Sequence, residues 1–328
     1  MMEQMYRIAI QHFVTGGVTP ARTGRMEVPA PNVTIREHRI PSTGSGPYIC
    51  TEGPDRALWF CESGTGKIGR LDPASGAFTE FALSDSKATP IGITVGADGN
   101  LWFAQKAANK IGRITLNGAI AEFPLPTPKA GPDGIILGPD GNIWFSETEV
   151  SAIGRITPNG DITEFSDGIS PGARPLSIMV RDGALWFSEA AGNRIGRITT
   201  DGKVTEFPIP SHDSQPRAMI THPDGSIWFV ETSTNALGRI DRDGRITEHP
   251  VPTPASSLRG VTVGRDGNLW YTANAVNKIG CMTPTGNVLG EYAIPTPASG
   301  ARCIAAMSDG RLFFTQWDAG LIGEVVIH

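Results

Sequence analysis

The sequence predicts an all-β fold, a single seven-bladed β-propeller, from three observations. A tryptophan-centred phrase recurs seven times, paired turn signals punctuate every repeat, and the composition favours short strands joined by tight turns. The phrase is an aliphatic residue, Trp and an aromatic residue, at Trp59, Trp102, Trp144, Trp186, Trp228 and Trp270, with Phe313 in the seventh place. The intervals are 43, 42, 42, 42, 42 and 43 residues, the period of a four-stranded propeller blade. The 328 residues exceed the usual size of one domain, but a repeat architecture accommodates that length in one body. The 40 Gly and 26 Pro, with 19% charged residues, fit many strands separated by turns.

Within a repeat, four strands can be read in order. In the third repeat an innermost strand, GIIL, leads through a Pro-Asp-Gly hairpin to NIWFSE, then through a longer loop to AIGRIT, and Asn159-Gly160 turns the chain into DITEF. A Pro-rich crossing such as PLPTPKAG joins one blade to the next. The last repeat stops after GLIGEVVIH and lacks a fourth strand. Residues 33–40, VTIREHRI, match that missing strand, so the N-terminal strand is expected to pair with the last blade and close the ring without a free edge. Residues 1–32 are expected to form a flexible tail ahead of a propeller over 33–328.

Net charge of −5 gives no general attraction to nucleic acid or to an anionic membrane. No stretch has the length of an apolar membrane span, and the N-terminus lacks the apolar core of a secretion signal. The expectation is therefore a soluble, cytoplasmic monomer that meets a small molecule. Cys50, Cys61, Cys281 and Cys303 have no metal-ligand spacing and are expected to be reduced and buried. No P-loop, HExxH, GxSxG or dinucleotide fingerprint occurs in its required context.

The face carrying the crossings and the longer loops surrounds the channel mouth, so function is sought at two positions per blade. The residue opening each innermost strand is Tyr48, Ile91, Asp133, Leu176, Arg217, Arg259 and Arg302. The residue after the Trp phrase and its last strand position is Ser63, Lys106, Thr148, Ala190, Thr232, Asn274 and Trp317. Three arginines in consecutive blades would repel one another unless Asp133, water or a bound anion compensates. A carboxylate could engage them through charge-assisted bonds of about 1.5–3 kcal/mol each. The alternative is that they fan outward onto inter-blade glutamates. Candidate substrate-binding residues are thus Tyr48, Asp133, Arg217, Arg259, Asn274, Arg302 and Trp317, and candidate proton carriers are Tyr48, Lys106 and His212.

His212, in the crossing PSHDSQPR, is the one histidine on the expected functional face, with Asp213 beside it. Glu62, Glu147, Glu189 and Glu231 occupy one equivalent position in four blades, which marks a structural device. Asn109, Asn193, Asn235 and Asn277 are expected to hold turns of positive φ.

The phrases LWFAQKAANKIGRIT, GRITTDGKVTEFPIPS and TEHPVPTPASS resemble the repeats of the virginiamycin B lyase (streptogramin B lyase) family, and the resemblance spans residues 33–328. It implies a propeller lyase that opens a cyclic depsipeptide by elimination at its ester, with a histidine base and a Mg²⁺ ion held by glutamates. Gly46-Pro47-Tyr48 matches the family's substrate-contacting tyrosine segment. Where the family has Glu-Pro-His-Gly, this sequence has Gly300-Ala301-Arg302-Cys303. The second metal glutamate falls at Trp317, with Asp318 adjacent, and a substrate-contacting histidine in blade six falls at Arg259. Arginine stays protonated and cannot remove an α-proton. The expectation is therefore a related lyase or hydrolase acting on a small anionic or ester-containing molecule, with two alternatives: a non-catalytic propeller binding an anion or a protein, and a true virginiamycin B lyase. No metal ligand set is expected from the residues themselves, and Mg²⁺ enters through the resemblance alone.

Overall fold

The computed structural model describes residues 29–328, and these form seven four-stranded antiparallel sheets. Residues 1–28, most of the expected tail, lie outside the described residues. Pro31 and Asn32, at the end of that tail, already dock: the Tyr292 hydroxyl donates to Pro31 O at 2.7 Å, and His328 N donates to Asn32 O at 2.9 Å. Among the described residues no helix is long and apolar enough to cross a membrane.

Blades one to six run outward from the axis in chain order. Blade three comprises Pro132–Leu137, Ile143–Glu147, Ala152–Ile156 and Ile162–Phe165. Blade seven takes Ala301–Ala306, Leu312–Gln316 and Leu321–Ile327 from the C-terminus and Val33–Arg39 from the N-terminus. The closing strand pairs from Val33 with Ile327 through to Arg39 with Leu321.

The recurring tryptophan is what makes the phrase legible, because the second strand is buried at every position of every blade, as in Ile143–Glu147 and Leu269–Ala273. Five indoles stack on the aromatic residue of the outermost strand, as Trp59 on Phe81 at 5.5 Å and Trp144 on Phe165 at 5.3 Å, and Trp228 meets His249 at a tilt. In several blades the hairpin aspartate accepts the indole N–H, Asp55 from Trp59 and Asp140 from Trp144, both at 2.9 Å. The Asp-Gly turn thus satisfies a buried donor as well as reversing the chain. Trp228 also packs with Val261 and Tyr271 of the following blade, so this core lies between blades.

The glycine of the third strand is fixed by close approach. A Cβ on Gly238 would stand 2.2 Å from the Phe229 ring and 2.6 Å from Glu231 Oε1. Gly238→Ala is expected to destabilise the protein by roughly 1–3 kcal/mol through overpacking, read as a lower urea midpoint at unchanged slope. A midpoint equal to wild type would show that this contact relaxes freely.

Candidate functional site

Two backbone features recur at the start of every innermost strand and aim the next residue at the axis. The residue before the strand has positive φ in all seven blades: Gly46, Thr89, Gly131, Arg174, Gln215, Ser257 and Gly300. The strand then carries a register shift over its next two residues, as between Pro47 and Cys50 and between Ala301 and Ile304. A bulge leaves these residues unpaired and re-aims their side chains, and here Tyr48, Asp133, Leu176, Arg217, Arg259 and Arg302 line one cavity of about 350 Å³ at the channel mouth.

Arg217, Arg259 and Arg302 converge. Burial first, then the positive charges of Arg217 and Arg302, hold Arg259 below the usual arginine range. The Nε atoms of all three are buried without a hydrogen-bond partner among the described residues. The alternative in which they fan out onto inter-blade glutamates is therefore not what the structure shows. Arg302 lies over two aromatic rings, 4.6 Å from the Trp317 centroid and 5.2 Å from that of Tyr48. Tyr48 and Trp317 meet edge to face at 5.3 Å. The stacking fixes one guanidinium plane while leaving its N–H edge available to a planar acceptor.

The second row of candidates follows one rule in every blade but the fourth, where Ala190 stands: the residue reaches the opening of the next blade. Thr148 donates to Pro175 O, Thr232 to Leu258 O and Asn274 to Ala301 O, each at 2.9 Å. Asn274 is thus placed in an inter-blade clamp, its amide occupied by backbone. Lys106 extends further and pairs with Asp133 at 2.9 Å, with Glu149 at 3.8 Å. Asp133 is consequently engaged by Lys106 on blades two and three, while the cationic cluster occupies blades five to seven. His212 lies exposed on its crossing loop, outside the cavity lining.

The four scaffold asparagines have φ between 55° and 60°, and their amides hold the crossings, Asn193 donating to Ser211 O at 2.8 Å and Asn235 to Thr253 O at 2.9 Å. The cysteines are all free, with Cys303 the one that is only half-buried, lining the cavity just below Arg302.

The four repeated glutamates are more unusual than their spacing reveals. Burial, with the facing Glu164, raises the Glu147 carboxyl to about 8. Burial and Glu206 likewise raise Glu189 to about 8, and burial and Glu80 do the same to Glu62. For Glu231 burial leads, Thr234 opposes and Glu248 adds, again reaching about 8. Each is a buried acid facing the glutamate of its own outermost strand across the third-strand glycine.

Magnesium is implied by the fold family, and the residues present do not fit it. The corresponding positions offer Gly300, Arg302 and Trp317, with Asp318 the one carboxylate beside Gly300, and among the described residues no group of three metal-binding side chains occurs. A guanidinium stacked on the indole supplies positive charge where a cation would need oxygen ligands.

Seven four-stranded blades around a cavity that opens at the crossing face define the chain as a seven-bladed propeller. The sequence matches the model of the Virginiamycin B lyase family over residues 17–181 and 167–328, and the chain belongs to that family. A streptogramin B lyase structure superposes with a TM-score of 0.86 at 34% identity, covering 90% of this chain and 98% of that one. The virginiamycin B lyase of Staphylococcus aureus, in a catalytically inactive histidine-to-alanine form with quinupristin, gives 0.86 at 36% identity, covering 90% and 100%. The curated virginiamycin B lyase of Saccharopolyspora erythraea is 48% identical over 54 residues, which is 16% of this chain and 18% of that protein. The match to curated relatives thus spans under a fifth of their length.

Proposed function

We propose that this chain is a streptogramin-lyase-like propeller that acts on a small anionic or ester-containing molecule held at its channel mouth. The observation that carries this reading is the convergence of Arg217, Arg259 and Arg302 on one cavity, with buried Nε atoms lacking partners. An anion there would relieve the mutual repulsion and receive charge-assisted bonds. Tyr48, packed against Trp317 and beneath Arg302, is the proton carrier best placed in the cavity, and the guanidinium groups would stabilise negative charge developing on a carbonyl oxygen or leaving carboxylate.

A second reading, binding without turnover, is favoured by the engagement of Lys106 with Asp133 and the position of His212 outside the cavity. One set of measurements separates the two. Calorimetric titration of small organic acids is expected to show binding that weakens at least 100-fold in the Arg259→Ala, Arg302→Ala double variant, since two charge-assisted bonds are removed. Equal affinity in the double variant would sink the anion site. Incubating wild type and Tyr48→Phe with ester-containing candidates, including a streptogramin B, and following product by mass then tests turnover: an opened ring of unchanged mass identifies elimination, and binding without any product identifies the second reading.

A further inference from the structure

We infer that the preferred ligand is amphiphilic, a carboxylate bearing an unbranched apolar chain, with the head at the arginines and the chain descending the propeller axis. The inference rests on the anion site proposed above and concerns what lies beneath it. The cavity continues from the mouth down the inner strands, and its lining changes character after one layer. Every charged residue lining it belongs to the mouth layer: Asp133, Arg217, Arg259 and Arg302. Directly below come mostly small residues, including Ser177, Ala218 and Cys303, with Ile49 the larger exception. The next layer is aliphatic apart from the Met219 thioether and the Cys50 thiol, and includes Ile135, Ile178 and Val261. Ile220, Thr262, Ala305 and Ala306 extend the lining further from the mouth.

Sequence position explains the layering. The bulge turns the opening residue to the mouth, and below it each inner strand is the edge of its sheet nearest the axis, so consecutive residues border the channel while Ile135, Ile178, Met219 and Val261 also pack into the cores between blades. All seven inner strands contribute to the two layers below the mouth, and blades five to seven carry the lining further, with Thr262 adding a hydroxyl at that depth. From Arg302 to Ala306 the strand rises about 13 Å at roughly 3.3 Å per residue. A cavity of about 350 Å³ is within the range of small-molecule sites. A compact inorganic anion or a short dicarboxylate would use the arginines and leave this wall unmatched. A bulky ring system would be stopped at the mouth by Arg302, Trp317 and Tyr48, which are packed on one another. A flexible methylene chain matches the chemistry of this mainly aliphatic lining, and its transfer from water contributes with every carbon that enters.

The test is a homologous series of acetate, butanoate, hexanoate and octanoate titrated calorimetrically against wild type, Arg259→Ala/Arg302→Ala, Ala305→Phe and, as a milder plug, Ala218→Leu. In wild type, affinity is expected to rise by roughly three- to fourfold per methylene until the channel is filled. In either plug variant acetate binding is retained and the rise with chain length stops early, provided thermal denaturation shows the variant folded. Should Ala305→Phe fail to fold, Ala218→Leu decides. Acetate binding that depends on the arginines but does not strengthen with chain length overturns this inference and leaves the anion site standing. Absence of binding by every member of the series overturns both. A chain-length gain that survives the plugs places the tail outside the channel and also overturns it.

Discussion

Raising the pH from 5 to 9 is expected to destabilise the protein strongly, and replacing Glu62, Glu147, Glu189 and Glu231 together by Gln is expected to remove most of that loss. Each of these acids is buried, faces a second carboxyl, and is raised to about 8. A carboxylate facing a carboxylate offers two acceptors and no donor, so a proton must sit between them, and the buried Glu147 and Glu189 oxygens have no other partner among the described residues. In two of the pairs a cation also faces the outer carboxyl, Lys67 standing 3.6 Å from Glu80 and Arg194 3.6 Å from Glu206.

The sign follows from linkage. The folded state binds a proton that the unfolded chain releases near the ordinary glutamate range. This contribution is therefore complete below that range and is lost as pH rises to about 8, at up to about 1.4 kcal/mol per pH unit for each acid. Blades two and seven already carry the substitution, with Gln105 and Gln316 at the same buried position. Burial pushes Glu122 up, but hydrogen bonds from Ser84 at 2.8 Å and Lys110 at 3.0 Å outweigh it and keep that carboxyl low. An amide is thus a proton-free replacement of the same shape. Urea midpoints at the two pH values check the expectation, and equal pH dependence in wild type and the fourfold variant would mean the pairs are not proton-sharing.

These pairs also mark where the sequence stops being readable. Period, strand order and ring closure follow from local phrases, because one buried strand and two hairpins leave the same residues in every repeat. The mouth residues Arg217, Arg259 and Arg302 could be placed because each opens a strand. That they converge depends on a positive-φ residue and a bulge, and Thr89, Gln215 and Ser257 at these positive-φ positions carry no glycine to announce it. Glu147 was legible as a repeated structural position, but its partner Glu164 lies two strands away, beyond a glycine, and no spacing along the chain expresses that contact. Lys106 and Asp133 stood at candidate positions of neighbouring blades, yet their pairing needed the rule that the loop residue of one blade meets the opening of the next.

Deleting residues 1–39 is expected to abolish cooperative folding, although the deletion removes one strand of 28. The loss is not proportional to the residues removed, because the ring is a closed series in which every blade is supported on both sides. The Val33–Arg39 strand pairs along the whole of Leu321–Ile327. Val33 and Ile35 pack on the core that joins Trp270 of blade six to Phe314 and Val325 of blade seven. Glu37 accepts the Thr296 backbone N–H at 3.2 Å and its hydroxyl at 2.8 Å, tying down the crossing between those blades. Without the strand, an apolar edge is exposed for pairing with other chains, and the junction between blades seven and one loses the constraint that brings Arg302 over Tyr48. Far-UV circular dichroism on heating is expected to show no sharp transition, with aggregates on size exclusion. A peptide of residues 29–42 added in trans should restore part of both, since the docking groove is formed by the rest of the ring. A truncated chain that melts within a few degrees of the full chain would show that closure is dispensable, and that blades one and seven hold together through their inner strands alone.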